Sequence, residues 1–358
     1  MADWPDRRIL DLFRIDVPIV LAPMAGPGTA AMAIAVSEAG GLGSMPCSQL
    51  TTTQARDVVA TIRRGTAKPI NLNFFCHAAA APDAAREQAW RARLAPYYAE
   101  WGLDPDAPAP AVVRRPFDDE ACRLVEECAP EVVSFHFGLP ERSLLERVQA
   151  AGATVIASAT TVREARWLEE QGCDAIIAMG LEAGGHRGTF LSTDIARQVG
   201  TFALVPQVAD AVAVPVIAAG GVADARGIVA ALALGAAAVQ IGTAYLFCPE
   251  ANVSAVYREA LNTAADDDTM VTNVFTGRPA RGIVNRLMRE VGPMSADAPE
   301  FPLAGGALAS LVEKLGPAGA RDFKNMWSGQ AARLARTLPA GELTRALAAG
   351  ALAKLTSR

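Results

Sequence analysis

The chain has 358 residues, 51% of them apolar and 20% charged, with 33 basic against 38 acidic residues for a net charge of −5. That composition supports a sizeable core and excludes a disordered chain. Basic residues are scattered, which leaves no nucleic-acid footprint, and the length allows one large domain or two ordinary ones.

Short apolar runs alternate with helical patterns up to about residue 250. In chain order the predicted strands are Pro18–Ala22, Gly41–Ser44, Pro69–Asn73, Val132–Phe135, Thr154–Ala157, Ala175–Ala178, Val214–Ala218 and Ala237–Ile241. Several are apolar on both faces, as strands of a parallel sheet covered on both sides are. The predicted helices are Ala30–Ala39, Thr52–Arg63, Asp118–Cys128, Leu144–Ala151, Thr161–Gln171, Ile195–Ala211 and Asp224–Leu234, several opening at a capping Thr or Asp. The segment Gly227–Pro249 carries no charge. It divides at Gly235 into a helical and a strand-like half, so it reads as a buried α/β unit and no membrane span is expected.

Eight strand–helix units predict an α/β fold of the (β/α)8 TIM barrel type, occupying residues 1–250. A doubly wound open sheet is the rival, but no GxGxxG follows the first strand. Residues 78–117, with the Pro-rich stretch Pro105–Pro110, are expected as an inserted helix and loop after the third strand. Residues 251–358 are expected as a helical extension forming a cap or lid.

In such a barrel the chemistry gathers at the C-terminal strand ends. Polar or glycine residues follow six of the eight strands: Pro23-Met-Ala-Gly26, Asn73, His136, Glu182–His186, Gly220-Gly221 and Gln240-Ile-Gly-Thr243. Gly220-Gly221 and Gly242-Thr243 sit where this fold builds phosphate sites from backbone N–H groups. A phosphorylated ligand follows; flavin mononucleotide and a phosphosugar are not separated by these residues. His136 and His186 face the same mouth, and histidine is the side chain that moves protons near neutral pH. His77 is expected to be structural.

The three histidines lie far apart and lack paired carboxylates, so no metal site is expected. Neither a Ser-His-Asp pattern nor a GxSxG elbow is present. Arg278, Arg281, Arg286 and Arg289 are expected to form a solvated helix face, with an anion contact near the site as the alternative. Six cysteines (47, 76, 122, 128, 173 and 248) show no CxxC or zinc spacing. With no signal-peptide pattern, reduced thiols in a cytoplasmic protein are the expectation.

The segments Ala22-Pro-Met-Ala-Gly26, Ala39-Gly-Gly-Leu-Gly43, Asn71-Leu-Asn-Phe74, Val133–Gly138, Glu182-Ala-Gly-Gly-His-Arg-Gly188, Ala218–Gly221 and Gln240-Ile-Gly-Thr243 together closely resemble the nitronate monooxygenase (2-nitropropane dioxygenase) family of FMN-dependent TIM barrels. The resemblance covers roughly residues 15–290 and the Trp327-Ser-Gly-Gln330 region. It implies FMN, with Pro23 and Met24 against the isoalloxazine, Asn73 hydrogen-bonding it, and Gly184, Gly220, Gly221 and Gln240, Ile241, Gly242 and Thr243 on the ribityl chain and phosphate. It implies His186 as the catalytic histidine and His136 as a polar residue of the substrate pocket. The implied reaction converts an alkyl nitronate and O2 to a carbonyl compound and nitrite through a flavin semiquinone. His186 would bind the anionic nitronate when protonated, or take the α-proton of a neutral nitroalkane when free. The chain departs from the family at Met179, where a flavin-contacting glutamine is usual. The implied partners are small molecules, with a homodimer left open. The alternatives are an NAD(P)H-dependent enoyl-thioester reductase on the same cofactor, and a flavin-binding protein without nitronate turnover.

Overall fold

The alternation resolves into strands β1 (Ile19–Leu21), β2 (Gly43–Pro46), β3 (Ile70–Phe75), β4 (Val132–His136), β5 (Thr154–Ala159), β6 (Ala175–Met179), β7 (Gly185–His186), β8 (Val216–Ala219), β9 (Ala238–Ile241), β10 (Thr269–Thr272) and β11 (Ala280–Ile283) in a computed structural model of the chain. It describes residues 4–81, 83–104, 107 and 114–357. Apart from Ala107, the predicted loop Pro105–Pro110 lies outside the described residues.

Eight strands form one parallel sheet in the order β1-β9-β8-β6-β5-β4-β3-β2. Its two edges meet at a parallel bridge between Val20 and Leu42. There Leu21 N donates to Leu42 O and Leu42 N to Ile19 O, each at 2.9 Å, which closes the TIM barrel. The strands are buried along nearly their whole length, which is why they read as continuous apolar runs without alternation.

Helix starts follow local chemistry. Thr29, Asp118, Thr161 and Asp224 accept hydrogen bonds from the first turns of the helices they cap, and Thr51 forms a capping box with Gln54. The single helix expected over Ile195–Ala211 is instead a 3-10 turn, Ile195–Arg197, and a helix, Thr201–Ala209. The break falls where the carboxylate of Glu182 accepts from Thr201 N at 2.8 Å. This distant acceptor starts the helix afresh after Gly200.

The extension departs further from expectation. It contains the hairpin β10–β11, whose second strand pairs antiparallel with β7. Its last helix, Ala340–Thr356, packs on the barrel helices Ala30–Glu38 and Ala225–Ala233. It is held by Tyr245 Oη and Thr344 Oγ1 at 2.7 Å and takes the last helix position of the ring. The remainder of the extension shares a second apolar core with the inserted helix Ala84–Glu100: Trp90, Leu94, Tyr97 and Tyr98 pack with Phe275, Leu287 and Phe323. Among the described residues no helix is long and apolar enough to cross a membrane.

Candidate active site

A cavity of about 460 Å³ opens over the C-terminal ends of the barrel strands, where this fold places active sites. Pro23, Met24, Asn73, His136, Met179, Gly184, His186, Gly220, Gly221, Gln240, Gly242 and Thr243 all line it. Ile241 does not: it is fully buried in the main core. Successive strand residues face opposite ways, so Gln240 reaches the cavity and its neighbour turns into the barrel wall.

One end of the cavity is shaped for an anion. The N–H groups of Gly221, Val222, Gly242 and Thr243 donate to no protein acceptor among the described residues. Gly220 (φ 113°) and Gly221 (φ 71°) adopt left-handed backbone conformations, which side chains disfavour. A Cβ at Gly220 would also stand 2.8 Å from Thr201 Oγ1. Thr243 Oγ1 accepts from Gly329 N at 2.9 Å, and its own hydrogen remains available. Gln240 Oε1 is buried without a partner among the described residues, a cost that a ligand donor would remove. Asn73 Nδ2 donates to Ser134 Oγ at 3.0 Å and to Ser134 O at 3.1 Å. N–H groups without protein acceptors among the described residues, an orphaned amide oxygen and the apolar side chains of Pro23 and Met24 fit a flavin nucleotide.

In the same cavity His186 sits in an aromatic box. Ring centroids of Phe301, Trp327, Phe137 and Phe75 stand 5.2, 5.4, 6.0 and 6.3 Å from its own. Burial pushes its pKa well below the ordinary histidine range, reinforced by His136, Arg278, Arg114 and His77. His186 is therefore neutral near pH 7. Its Nε2 lies 3.0 Å from Thr276 Oγ1. Nδ1 has no protein partner among the described residues, and the residue lines the cavity.

His136 has no nitrogen to spare. Nε2 donates to His186 O at 3.1 Å, so Nδ1 accepts from Ser158 Oγ at 3.1 Å. Burial, chiefly, pushes its pKa down to about 3. It lines the pocket, but its polar atoms position the His186 backbone.

The loop after β6 is held from behind. Arg187, with no exposed surface, donates to Met179 O at 2.9 Å and Gly180 O at 2.8 Å. Arg281 Nε donates to Leu181 O at 2.9 Å. Three consecutive carbonyls are thus turned away from the cavity by two buried guanidinium groups. Gly184 is required by close approach: a Cβ there would lie 2.5 Å from Gly329 N.

The solvated helix face expected of the four arginines is not one face. Gly277, at φ 85°, and Pro279 end any helix, and Arg281 is drawn into β11 by pairing with Gly185. Arg278 lies 3.8 Å above the Phe137 ring and donates to Thr189 O. Arg286 and Arg289 belong to the helix Arg286–Glu290, where Arg286 pairs with Glu100 at 2.7 Å and Glu290 at 3.0 Å. His77 Nε2 stands 3.1 Å from Arg114 O and its ring 4.8 Å from Phe301. Burial pushes the Cys47 thiol up to about 12 and Cys76 well above its ordinary value, which leaves both unreactive. Among the described residues no cluster of three metal-ligating side chains occurs.

Sequence reasoning missed Thr276, Arg114, Phe75, Phe137, Phe301 and the contact of Trp327 with His186. Most reach the site from the insertion or the extension through pairings with no local signature. Phe137 alone carries a local mark, a positive φ of 74° next to His136, a strain that collects at functional sites.

A closed (β/α)8 barrel with an anion cradle at its last two strands and a desolvated histidine in the same cavity defines a cofactor-dependent barrel enzyme. The family model for nitronate monooxygenase matches residues 6–350, and the chain belongs to that family, a flavin-dependent oxidoreductase acting in nitronate oxidation. It is 43% identical over 343 residues to a nitronate monooxygenase of Pseudomonas aeruginosa, covering 95% of this chain and 97% of that one. It is 36% identical to a probable nitronate monooxygenase of Staphylococcus aureus, covering 95% and 96%. Among solved structures it superposes on the nitroalkane oxidase of Streptomyces ansochromogenes with a TM-score of 0.88 at 36% identity, covering 98% of this chain and 99% of that one. FabK of Thermotoga maritima follows at a TM-score of 0.75 and 29% identity, covering 99% and 98%.

Proposed function

We propose that the protein is an FMN-dependent nitronate monooxygenase that converts an alkyl nitronate and O2 to a carbonyl compound and nitrite. The observation that carries this reading is one cavity lined both by a histidine in an aromatic box, His186, and by a cradle of N–H groups without protein acceptors among the described residues. The cradle of Gly220–Val222 and Gly242-Thr243 would hold the phosphate, Gln240 and Asn73 the polar edge of the ring system with Met179 beside it, and Pro23 and Met24 its face. The chemistry supplied by the flavin when bound is acceptance of electrons from the nitronate and their passage to O2.

The chain's own residues prepare the substrate. The aromatic rings exclude water from the reacting carbon. Neutral His186 takes the α-proton of a nitroalkane at Nδ1 instead of pairing with the nitronate as a cation. Positive charge toward the nitronate comes from Arg114, which lines the cavity.

The test is the visible spectrum of the purified protein, identification of the released flavin, and nitrite assay with an alkyl nitronate in air. Flavin peaks, FMN on release and nitrite are expected. Bound flavin with no nitrite from any nitronate points to binding without turnover. Bleaching by NADH points to the reductase.

A further inference from the structure

Thr276 sits in the loop between β10 and β11, and its hydroxyl is the one protein group that touches the His186 ring nitrogens among the described residues, at 3.0 Å from Nε2. The same oxygen lies 3.3 Å from Arg278 O and 3.4 Å from Arg278 N. A threonine hydroxyl has one hydrogen to give, so it donates either to His186 Nε2 or to Arg278 O.

The two choices fix opposite tautomers. If Thr276 donates to Nε2, the imidazole proton sits on Nδ1, and the Arg278 carbonyl loses its one hydrogen-bond donor among the described residues. If Nε2–H donates to Thr276, the hydroxyl is free to donate to Arg278 O, and Nδ1 presents a lone pair to the cavity. Only the second arrangement satisfies all three groups, and buried polar groups favour full satisfaction. It also needs no rearrangement when Nδ1 takes up a proton, since Nε2–H keeps its acceptor in the imidazolium.

We infer that Thr276 is the positioning residue that fixes His186 as the Nε2–H tautomer and so makes Nδ1 the base of the active site. The inference rests on the reading of His186 as a base.

The loop is built to hold this hydroxyl still. Gly277 N donates to Asn273 O at 2.7 Å. Asn273 is fastened to the cap by Nδ2 to Ser295 O at 2.8 Å and by Ser295 N to Oδ1 at 2.9 Å. A Cβ at Gly277 would lie 2.0 Å from Pro299 O, so the chain passes Thr276 with backbone against backbone. From the other side, His136 holds the His186 carbonyl at 3.1 Å. Backbone and ring of His186 are thus pinned by separate residues.

The test is the imidazole 15N spectrum of the flavin-loaded enzyme labelled at histidine, in which three histidines give few signals. The signals are assigned by His77→Gln and His136→Gln. At neutral pH the parent is expected to show His186 with a protonated Nε2 and a bare Nδ1. Thr276→Val, which keeps the shape and removes the hydroxyl, moves the proton to Nδ1. It lowers kcat on a neutral nitroalkane by about 10²-fold, the scale of a mis-set acid–base group, with a much smaller change in KM. Thr276→Ser restores both the tautomer and most of kcat. A parent spectrum with the proton on Nδ1, or a Thr276→Val enzyme with unchanged tautomer, overturns the inference. If the parent shows the expected tautomer but makes no nitrite, the proposed function fails while the assignment of Thr276 as tautomer-setting stands.

Discussion

Nε2 of His136 donates to the backbone carbonyl of His186 at 3.1 Å, so one histidine of the pocket orients the other through its main chain. A carbonyl only accepts, and His136 is therefore neutral at Nδ1 while Ser158 donates to it. Protonating Nδ1 would place a charge in a buried pocket and make Ser158 turn its hydroxyl from donor to acceptor.

A pH dependence of stability follows. His136 titrates at about 3 in the fold against about 6.5 in an unfolded chain. Between those values the unfolded state binds the proton and the folded state does not. Stability contributed by the neutral ring is complete above pH 6.5 and is lost as pH falls toward 3, with a slope approaching about 1.4 kcal/mol per pH unit. Urea midpoints measured from pH 7 to pH 4 should fall, and His136→Gln should flatten the decline. An unaltered slope in that variant would exclude His136 as its source.

His186 makes the activity profile asymmetric. Its pKa lies well below the ordinary range, so the base stays unprotonated in mild acid. With a neutral nitroalkane, kcat/KM should hold level through pH 7 and decline only below the ordinary histidine range. His186→Asn should keep the flavin and the fold but lower nitrite formation by about 10²-fold or more. An acid limb centred near pH 7, or near-parental activity in the Asn variant, would assign the base elsewhere.

The phosphate cradle is tested by a pair of substitutions. The nearest atom to a Cβ at Gly221 is Glu182 Cβ at 3.7 Å, so there is room, and the positive φ strains any side chain alike. Gly221→Ala reports that strain, roughly 1–2 kcal/mol. Gly221→Asp adds a carboxylate among the N–H groups on top of it. FMN occupancy should fall modestly in the first and be lost in the second. Equal occupancy in both would place the phosphate away from this turn.

The barrel was legible because its signals are local. Each strand is an apolar run, and Thr51, Asp118, Thr161 and Asp224 mark helix starts by chemistry within one turn. The strand-end residues were legible for the same reason, since a barrel fixes which end matters. Ile241 does not line the cavity, because a motif names consecutive residues while a strand alternates them. The walls of the histidine box were hidden. β7 is two residues long and exists by pairing with β11 nearly a hundred residues on, and no period or cap announces that. The four arginines misled for the same reason, as their helix-like spacing spans a loop, a strand and a short helix.

Met179 stands where the resemblance implies a flavin-contacting glutamine. Its side chain lines the cavity at the end of β6, and it is 7% exposed. Its carbonyl is already held by Arg187, so the backbone there does not depend on the side chain. A thioether is a weak acceptor and donates nothing, whereas glutamine of similar length offers both a donor and an acceptor. Met179→Gln should therefore add about one net hydrogen bond to the flavin, worth roughly 0.5–1.5 kcal/mol. Fluorescence titration of the apoprotein with FMN should show Kd lowered by about two- to tenfold. If the glutamine found no partner on the ligand, its burial would cost about 1–3 kcal/mol. The apoprotein would then lose thermal stability with no gain in affinity. That result would place the flavin edge out of reach of β6 and remove Met179 from the cofactor contacts.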